Sequence, residues 1–198
     1  MSIKIHEEVS NVKQQIINWR HDLHKIPEVG YELHQTVSYI CKQLDQMSIS
    51  YSTMCDDSAV IGIINPGKER CLALRADIDA LPIQEETGFE FSSTHPGKMH
   101  ACGHDFHTAS LLGTAKILKE HENELTGTIK LIFQCNEEGL CGAKRMVEEG
   151  VLENPKVDSI IGMHVASIDQ LPGGVIAYNK GPVMASSDKF YIKLIGQG

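Results

Sequence analysis

The sequence predicts an α/β domain built around a mainly parallel central sheet flanked by helices. Three observations carry that reading. Two amphipathic stripes of helical period open the chain, short apolar runs then alternate with further helical stretches, and chemically capable residues recur directly after those runs. Over Ser10 to Lys25 and the Val9 just before it, the apolar positions Val9, Val12, Ile16, Trp19 and Leu23 step by threes and fours, which draws one stripe on a helix, and Pro27 ends it. Leu33, Val37, Ile40, Leu44 and Met47 repeat the pattern in a second helix that precedes the polar stretch Cys55 to Ser58.

The period then changes. Ala59 to Ile64 is a short apolar run closed by Asn65-Pro66-Gly67, and Cys71 to Arg75 is another, so two strands joined by a turn are expected. Thr108 to Leu118 reads as a helix with Leu111, Leu112, Ala115 and Leu118 inward, and Thr128 to Gln134 as a β-branched and aromatic strand. Ala143 to Glu149 is a short helix stopped by Gly150, and Ser159 to Met163 is one more apolar strand. After Pro172 the glycine pairs and Gly181-Pro182 frame shorter pieces, and Phe190, Ile192 and Leu194 alternate within Lys189 to Ile195 as in a strand of a new sheet. Such a strand at a chain terminus leaves an edge that a remainder or a partner must cover. Residues 1–184 are accordingly read as one incomplete domain and 185–198 as the start of a second.

Charge and composition remove several classes of function. A formal charge of -8 leaves no basic face to neutralise phosphates, which excludes nucleic acid and disfavours anionic membranes. The opening MSIKIHEEVSNV lacks an apolar signal core, and no run nears the roughly 20 apolar residues of a membrane span, so a cytoplasmic protein is expected. In that setting the six cysteines read as free thiols, with Cys41, Cys55 and Cys71 as small core residues.

The chemistry concentrates in four places. His100-Ala101-Cys102-Gly103-His104-Asp105-Phe106-His107 packs three imidazoles, a thiol and a carboxylate together, and such a cluster either binds metal or activates a thiol. Glu137-Glu138 follows the strand that ends at Gln134; adjacent side chains diverge, so one acid can hold a metal while the other faces a water, although two acids at a helix start also suit the helix dipole. His164 stands directly after a strand, where a lone histidine is often structural, and Asp77-Ile78-Asp79 after another, where the pair is often only a turn. All four groups sit at strand ends or in loops, where one edge of one sheet gathers them.

RHDLHKIPEVGYE (Arg20 to Glu32), LRADIDALPI (Leu74 to Ile83), HACGHDFHTA (His100 to Ala109), Glu137-Glu138-Gly139 and GMHV (Gly162 to Val165) together resemble, in order and spacing, the metal-dependent N-acyl amino acid amidohydrolases. The branch they resemble includes hippurate hydrolase, N-acetyldiaminopimelate deacetylase and the plant auxin-conjugate hydrolases. The resemblance implies two divalent cations held by Cys102, His104, Glu138 and His164, with Glu137 as the general base and Asp79 orienting a ligand from behind. Asp105 and His107 are expected to support the site. Thiolate and imidazole donors suit zinc or nickel, and carboxylates admit manganese or cobalt. The implied substrate is a small N-acyl amino acid, cleaved to a carboxylic acid and a free amino acid. The resemblance also implies a following lid domain that carries a histidine and a homodimer contact, and a late histidine ligand, so a truncated and inactive metal-binding piece is the competing expectation. Thiol catalysis by Cys102 is a third. Two local departures stand out: Cys135-Asn136 where the family usually has Pro-Ala, and Leu140-Cys141 in place of small residues.

Overall fold

The computed structural model describes residues 5–139, 141–166, 172–182 and 190–196. They fall into two units, Met1–Val165 and Ala166–Gly198. In the second unit residues 190–196 carry no assigned strand, and 183–189, which include the expected domain boundary, lie outside the described residues.

The first unit opens with α1 (Ile5–His24) and α2 (His34–Gln46). Val12, Trp19 and Leu23 of α1 and Val37, Ile40 and Leu44 of α2 are buried, as their spacing predicts, and the Trp19 indole donates to Gln43 Oε1 at 2.9 Å. The start of α2 is capped from a distance. Buried Glu28 accepts the backbone N–H groups of Gln35 and Thr36 at 3.1 and 2.8 Å, which satisfies two orphan donors at the positive end of the helix dipole.

Five strands complete the unit, with one further helix between the third and fourth and another between the fourth and fifth: β1 (Ser50–Met54), β2 (Ala59–Ile64), β3 (Cys71–Asp77), α3 (His104–Glu120), β4 (Thr128–Gln134), α4 (Gly142–Glu148) and β5 (Ser159–Gly162). They form one sheet in the order β1-β2-β4-β3-β5. β3 runs parallel to both β4 and β5, whereas β2 pairs antiparallel with β1 and with β4, so the sheet is mixed and β2 alone runs against the other four. The reversal comes from the tight β1–β2 connection, where Cys55, Asp56 and Asp57 all adopt positive φ. β2 and β3, expected as successive strands, are not neighbours, because β4 inserts between them.

Burial explains which strands were readable. Every residue of β4 is buried, as in a strand covered on both faces, and its Lys130 ammonium is satisfied by the carbonyls of Val151, Glu153 and Pro155 at 2.8 to 2.9 Å. β1 is a polar edge strand whose first four residues are exposed, and β5 is exposed along its length. The register aligns the strand ends: Asp77 at the end of β3 pairs with Gln134 at the end of β4, and Gly162 at the end of β5 pairs with Arg75. The carboxyl ends of the three parallel strands therefore share one rim.

The β4–α4 turn has no room to spare. A methyl group on Gly142 would lie 1.7 Å from the Cys135 carbonyl oxygen. Gly142→Ala is expected to cost about 1 to 3 kcal/mol through backbone displacement, read as a lowered thermal midpoint; an unchanged midpoint would show that this turn yields freely.

Candidate metal centre

The rim is organised by Asp79, which is 1% exposed. Its two carboxylate oxygens accept the backbone N–H groups of Glu137 at 2.9 Å and Glu138 at 3.2 Å, so an acid after β3 fixes the turn after β4. Its own backbone carbonyl accepts from His104 Nδ1 at 2.8 Å. That hydrogen bond sets the tautomer, because a ring that donates through Nδ1 presents a lone pair at Nε2. His104 Nε2 is buried with no hydrogen-bond partner, and so is Glu138 Oε1, 3.8 Å away. Two orphaned buried acceptors facing each other are costly unless a cation lies between them.

His104 begins α3, and Gly103 before it takes φ +80°, with Val165 Cγ2 only 2.5 Å from where a Cβ would sit. Glycine is thus required both by the backbone turn and by the close approach of the segment after β5. That approach brings His164 Nε2 to 3.4 Å from Cys102 Sγ. A thiolate at about 2.3 Å and an imidazole nitrogen at about 2.0 Å from one tetrahedral zinc stand about 3.5 Å apart, so this spacing fits two ligands of a single ion.

Among the described residues three groups of potential ligands result, each with its atoms within 4.8 Å of one another: Cys102, His104 and His164; His104, Glu137 and Glu138; and Asp77, His104 and His107. His104 belongs to all three. The first two contain every residue expected to ligate metal, together with Glu137, and they suit a dinuclear divalent-metal centre pivoted on His104. In the third, His107 and Asp77 already have partners within the protein. His107 Nδ1 meets Asp77 Oδ1 at 2.5 Å while its Nε2 accepts the Val165 N–H at 2.9 Å, and Arg75 pairs with Asp77 Oδ2 at 2.8 Å. His107 thus joins Asp77 to the Val165 backbone, and Asp77, which sequence reasoning counted only within the Asp77-Ile78-Asp79 group, is the buried carboxylate that holds it.

Charge separates these groups further. Burial works to raise Asp77, but the His107 hydrogen bond and the electrostatic influence of the neighbouring His104 and Arg75 overcome it and bring the carboxyl down to about 2. Its stabilising contribution is present above the unfolded value near 4 and is lost as pH falls towards 2. Cys102 moves the other way: burial, then the charge and hydrogen bond of Glu138, then Glu137 and Asp77, push the thiol up to about 12. A protonated thiol among carboxylates is a poor nucleophile, which argues against thiol catalysis.

Both the brace and the thiol can be tested directly. Asp79→Asn replaces two acceptor oxygens by one, leaves a turn N–H facing an amide N–H, and is expected to cost about 2 to 4 kcal/mol, measured by denaturant unfolding; a loss below 0.5 kcal/mol, on the order of a surface substitution, would show that the turn holds itself. Ligation by Cys102 would require loss of its proton, and in that case apparent zinc affinity should climb between about pH 6 and 9 with measurable proton release in unbuffered calorimetry. Uptake without proton release would place the thiol outside the ligand set.

Residues 73–187 match the family model for Peptidase family M20/M25/M40. The chain is 46% identical over 190 residues to the IAA-amino acid hydrolase ILR1-like 5 of Arabidopsis thaliana, covering 94% of this chain and 43% of that protein. It is 40% identical over 191 residues to the N-acetyl-L-cysteine deacetylase of Bacillus subtilis, covering 96% and 45%. Among solved structures it superposes on the Bacillus subtilis YxeP protein, described as a dinuclear metal-binding peptidase, with TM-score 0.73 and 43% identity over 78% of this chain and 43% of that one. The chain spans about half the length of the curated relatives it matches. With the ligand groups in place at the rim and the family model covering more than half of its residues, this chain belongs to peptidase family M20/M25/M40.

Proposed function

We propose that this chain carries the metal-binding part of an amidohydrolase that cleaves N-acyl amino acids, of the hippurate or N-acetyl type, into a carboxylic acid and a free amino acid. In this reading Cys102, His104, Glu138 and His164 hold the divalent pair. When bound, those ions supply Lewis-acid polarisation of the amide carbonyl and make a water acidic near neutral pH. Asp79 keeps the Glu137–Glu138 turn and the His104 ring in register. Glu137 takes a proton from the attacking water at its carboxylate and returns it to the leaving amine nitrogen, which balances the addition of one water across the C–N bond.

The observation that carries the reading is the unequal placement of the two glutamates. Both carboxylates lie 3.8 Å from His104 Nε2, yet Glu137 is the more open, with a side chain 32% exposed against 23%, while Glu138 directs an unpartnered oxygen into the buried centre. One is therefore disposed to ligate and the other to meet water and substrate. The names of the relatives, an IAA-amino acid hydrolase and an N-acetyl-L-cysteine deacetylase among them, support this bond type. No helix among the described residues is long and apolar enough to cross a membrane.

The competing reading, a piece that binds metal without turnover, draws on the exposure of β5 and of His164, which leaves one side of the centre open. Hippurate and N-acetyl amino acid hydrolysis by the 198-residue chain, with and without chelator, separates the two. Glu137→Gln is expected to lower turnover by about 10²- to 10⁴-fold while metal content is unchanged. Normal turnover in that variant would remove Glu137 from the mechanism, and metal without any turnover in the parent chain would favour the competing reading.

A further inference from the structure

Behind the metal centre lies a second group of buried charges that the proposed reaction does not use. Asp105, the residue after His104, has a fully buried side chain; its Oδ2 accepts from Arg20 Nε at 3.1 Å and meets His24 Nδ1 at 2.8 Å. The other ring nitrogen of His24 meets Glu85 Oε1 at 3.2 Å, and both side chains are almost wholly buried. Glu85 Oε2 in turn accepts the Ser93 N–H at 2.6 Å, and Thr87 Oγ1 donates to Oε1. Three segments far apart in the chain, the last turn of α1, the loop 81–99 and the first turn of α3, are thus joined through one imidazole.

The loop matters because of where it begins and ends. Leu81 and Met99 bridge across its base, two residues after Asp79 and three before Cys102. Its later part is also anchored to the end of α1, with Phe91 stacked on His21 and the Thr94 N–H donating to the Lys25 carbonyl at 2.9 Å. The Glu85 hydrogen bond to His24 ties it to the helix that bears His104, alongside the ring contacts of Phe91 with His24 and Arg20. We propose that His24 is a positioning residue of the metal centre, clamping the 81–99 loop onto the first turn of α3 through Glu85 and Asp105. This role rests on the reading of the rim as a metal centre.

The chemistry of the clamp is restrictive. A carboxylate only accepts, so an imidazole between two carboxylates must donate from both nitrogens, and it does so as the imidazolium. The groups facing the ring are Asp105 and Glu85, then His100 with its ring centroid 6.3 Å away, the edge-on ring of Phe91, and Arg20 on the far side of Asp105. The Asp105 hydrogen bond raises the His24 pKa against the opposing effect of burial, and the charge of Asp105 and the Glu85 contact add to it. Because the folded value lies above the unfolded one near 6.5, the clamp is fully made below that pH and is lost as pH rises through the folded value. One nitrogen then points a lone pair at a carboxylate.

Two variants of the full 198-residue chain test this. Glu85→Gln lets a neutral imidazole donate to Asp105 and accept from the new amide, while the amide oxygen still receives the Ser93 N–H. His24→Gln offers one amide nitrogen, which cannot span two carboxylates on opposite edges of a ring. In the parent chain the Ser93 amide, followed by hydrogen exchange corrected for intrinsic rate, should lose about tenfold or more of its protection as His24 deprotonates, the deprotonation being read from its ring nitrogen shifts; in Glu85→Gln protection should stay flat. His24→Gln should bind zinc about tenfold more weakly than the parent at pH 7, with Glu85→Gln within about twofold. Protection that is independent of pH in the parent, or that falls equally in Glu85→Gln, overturns the proposal, as does unchanged zinc affinity in His24→Gln. The exchange measurement needs neither metal nor turnover, so a failure of the hydrolase reading shows separately, as absent hydrolysis with the clamp intact.

Discussion

The geometry of the rim depends on one buried carboxylate. Asp79 receives two backbone N–H groups from the Glu137–Glu138 turn and offers its carbonyl to His104, so three segments converge on a single residue. Hydrogen bonds to a charged acceptor are each worth about 1.5 to 3 kcal/mol, more than neutral ones, and burial makes their loss costlier still. Parallel pairing of β3 with β4 places the two strand ends side by side, but pairing alone would leave the loops beyond them free. The carboxylate extends the order of the sheet by several residues, into the region where side chains rather than backbone do the chemistry.

Around this brace the charges are sorted. Asp77 is answered by Arg75 and His107, and Asp105 by Arg20 and His24, so each of these buried acids has two cationic or donor partners within the protein. Glu137 and Glu138 both lie 3.8 Å from His104 Nε2, and among the described residues no Lys or Arg is paired with either. Negative charge that the chain neutralises itself is structural. Negative charge left over beside a thiol and two imidazoles requires cations from outside, which is the electrostatic content of a metal centre.

The sequence made the regular interior readable and the irregular parts not. β4 was legible at both ends because a strand buried on both faces is written in β-branched and aromatic residues, whereas Ser50 to Thr53 of β1 are polar and exposed and carry no such mark. α3 was expected from Thr108 but starts at His104, since its first turn is buried through His104, Asp105 and His107, and apolar periodicity does not count polar residues satisfied by partners. Which strand lies beside which is not a local property, so the insertion of β4 between β2 and β3 could not be read. In the site, the gathering of ligands at strand ends was legible from their positions. The role of the Asp79 backbone carbonyl was not, because any residue supplies one, and the ties of Asp77 to His107 and of His24 to Glu85 join segments whose proximity only the fold creates.

The centre is unevenly supported. His104, Asp79 and Glu138 are held by the β3, β4 and α3 framework, but His164 follows an exposed strand, and its own ring contacts are Cys102 Sγ, the His104 and His107 rings and the adjacent Val165 carbonyl. The segment is fastened mainly by the Val165 N–H on His107 and by the fit of Val165 against Gly103. A cation that took both Cys102 and His164 would crosslink β5 to the start of α3, converting binding free energy into local stability where backbone pairing supplies least. The β5 side of the rim would then owe its order to the metal, and the β3–β4 side to Asp79, with His104 as the residue common to both.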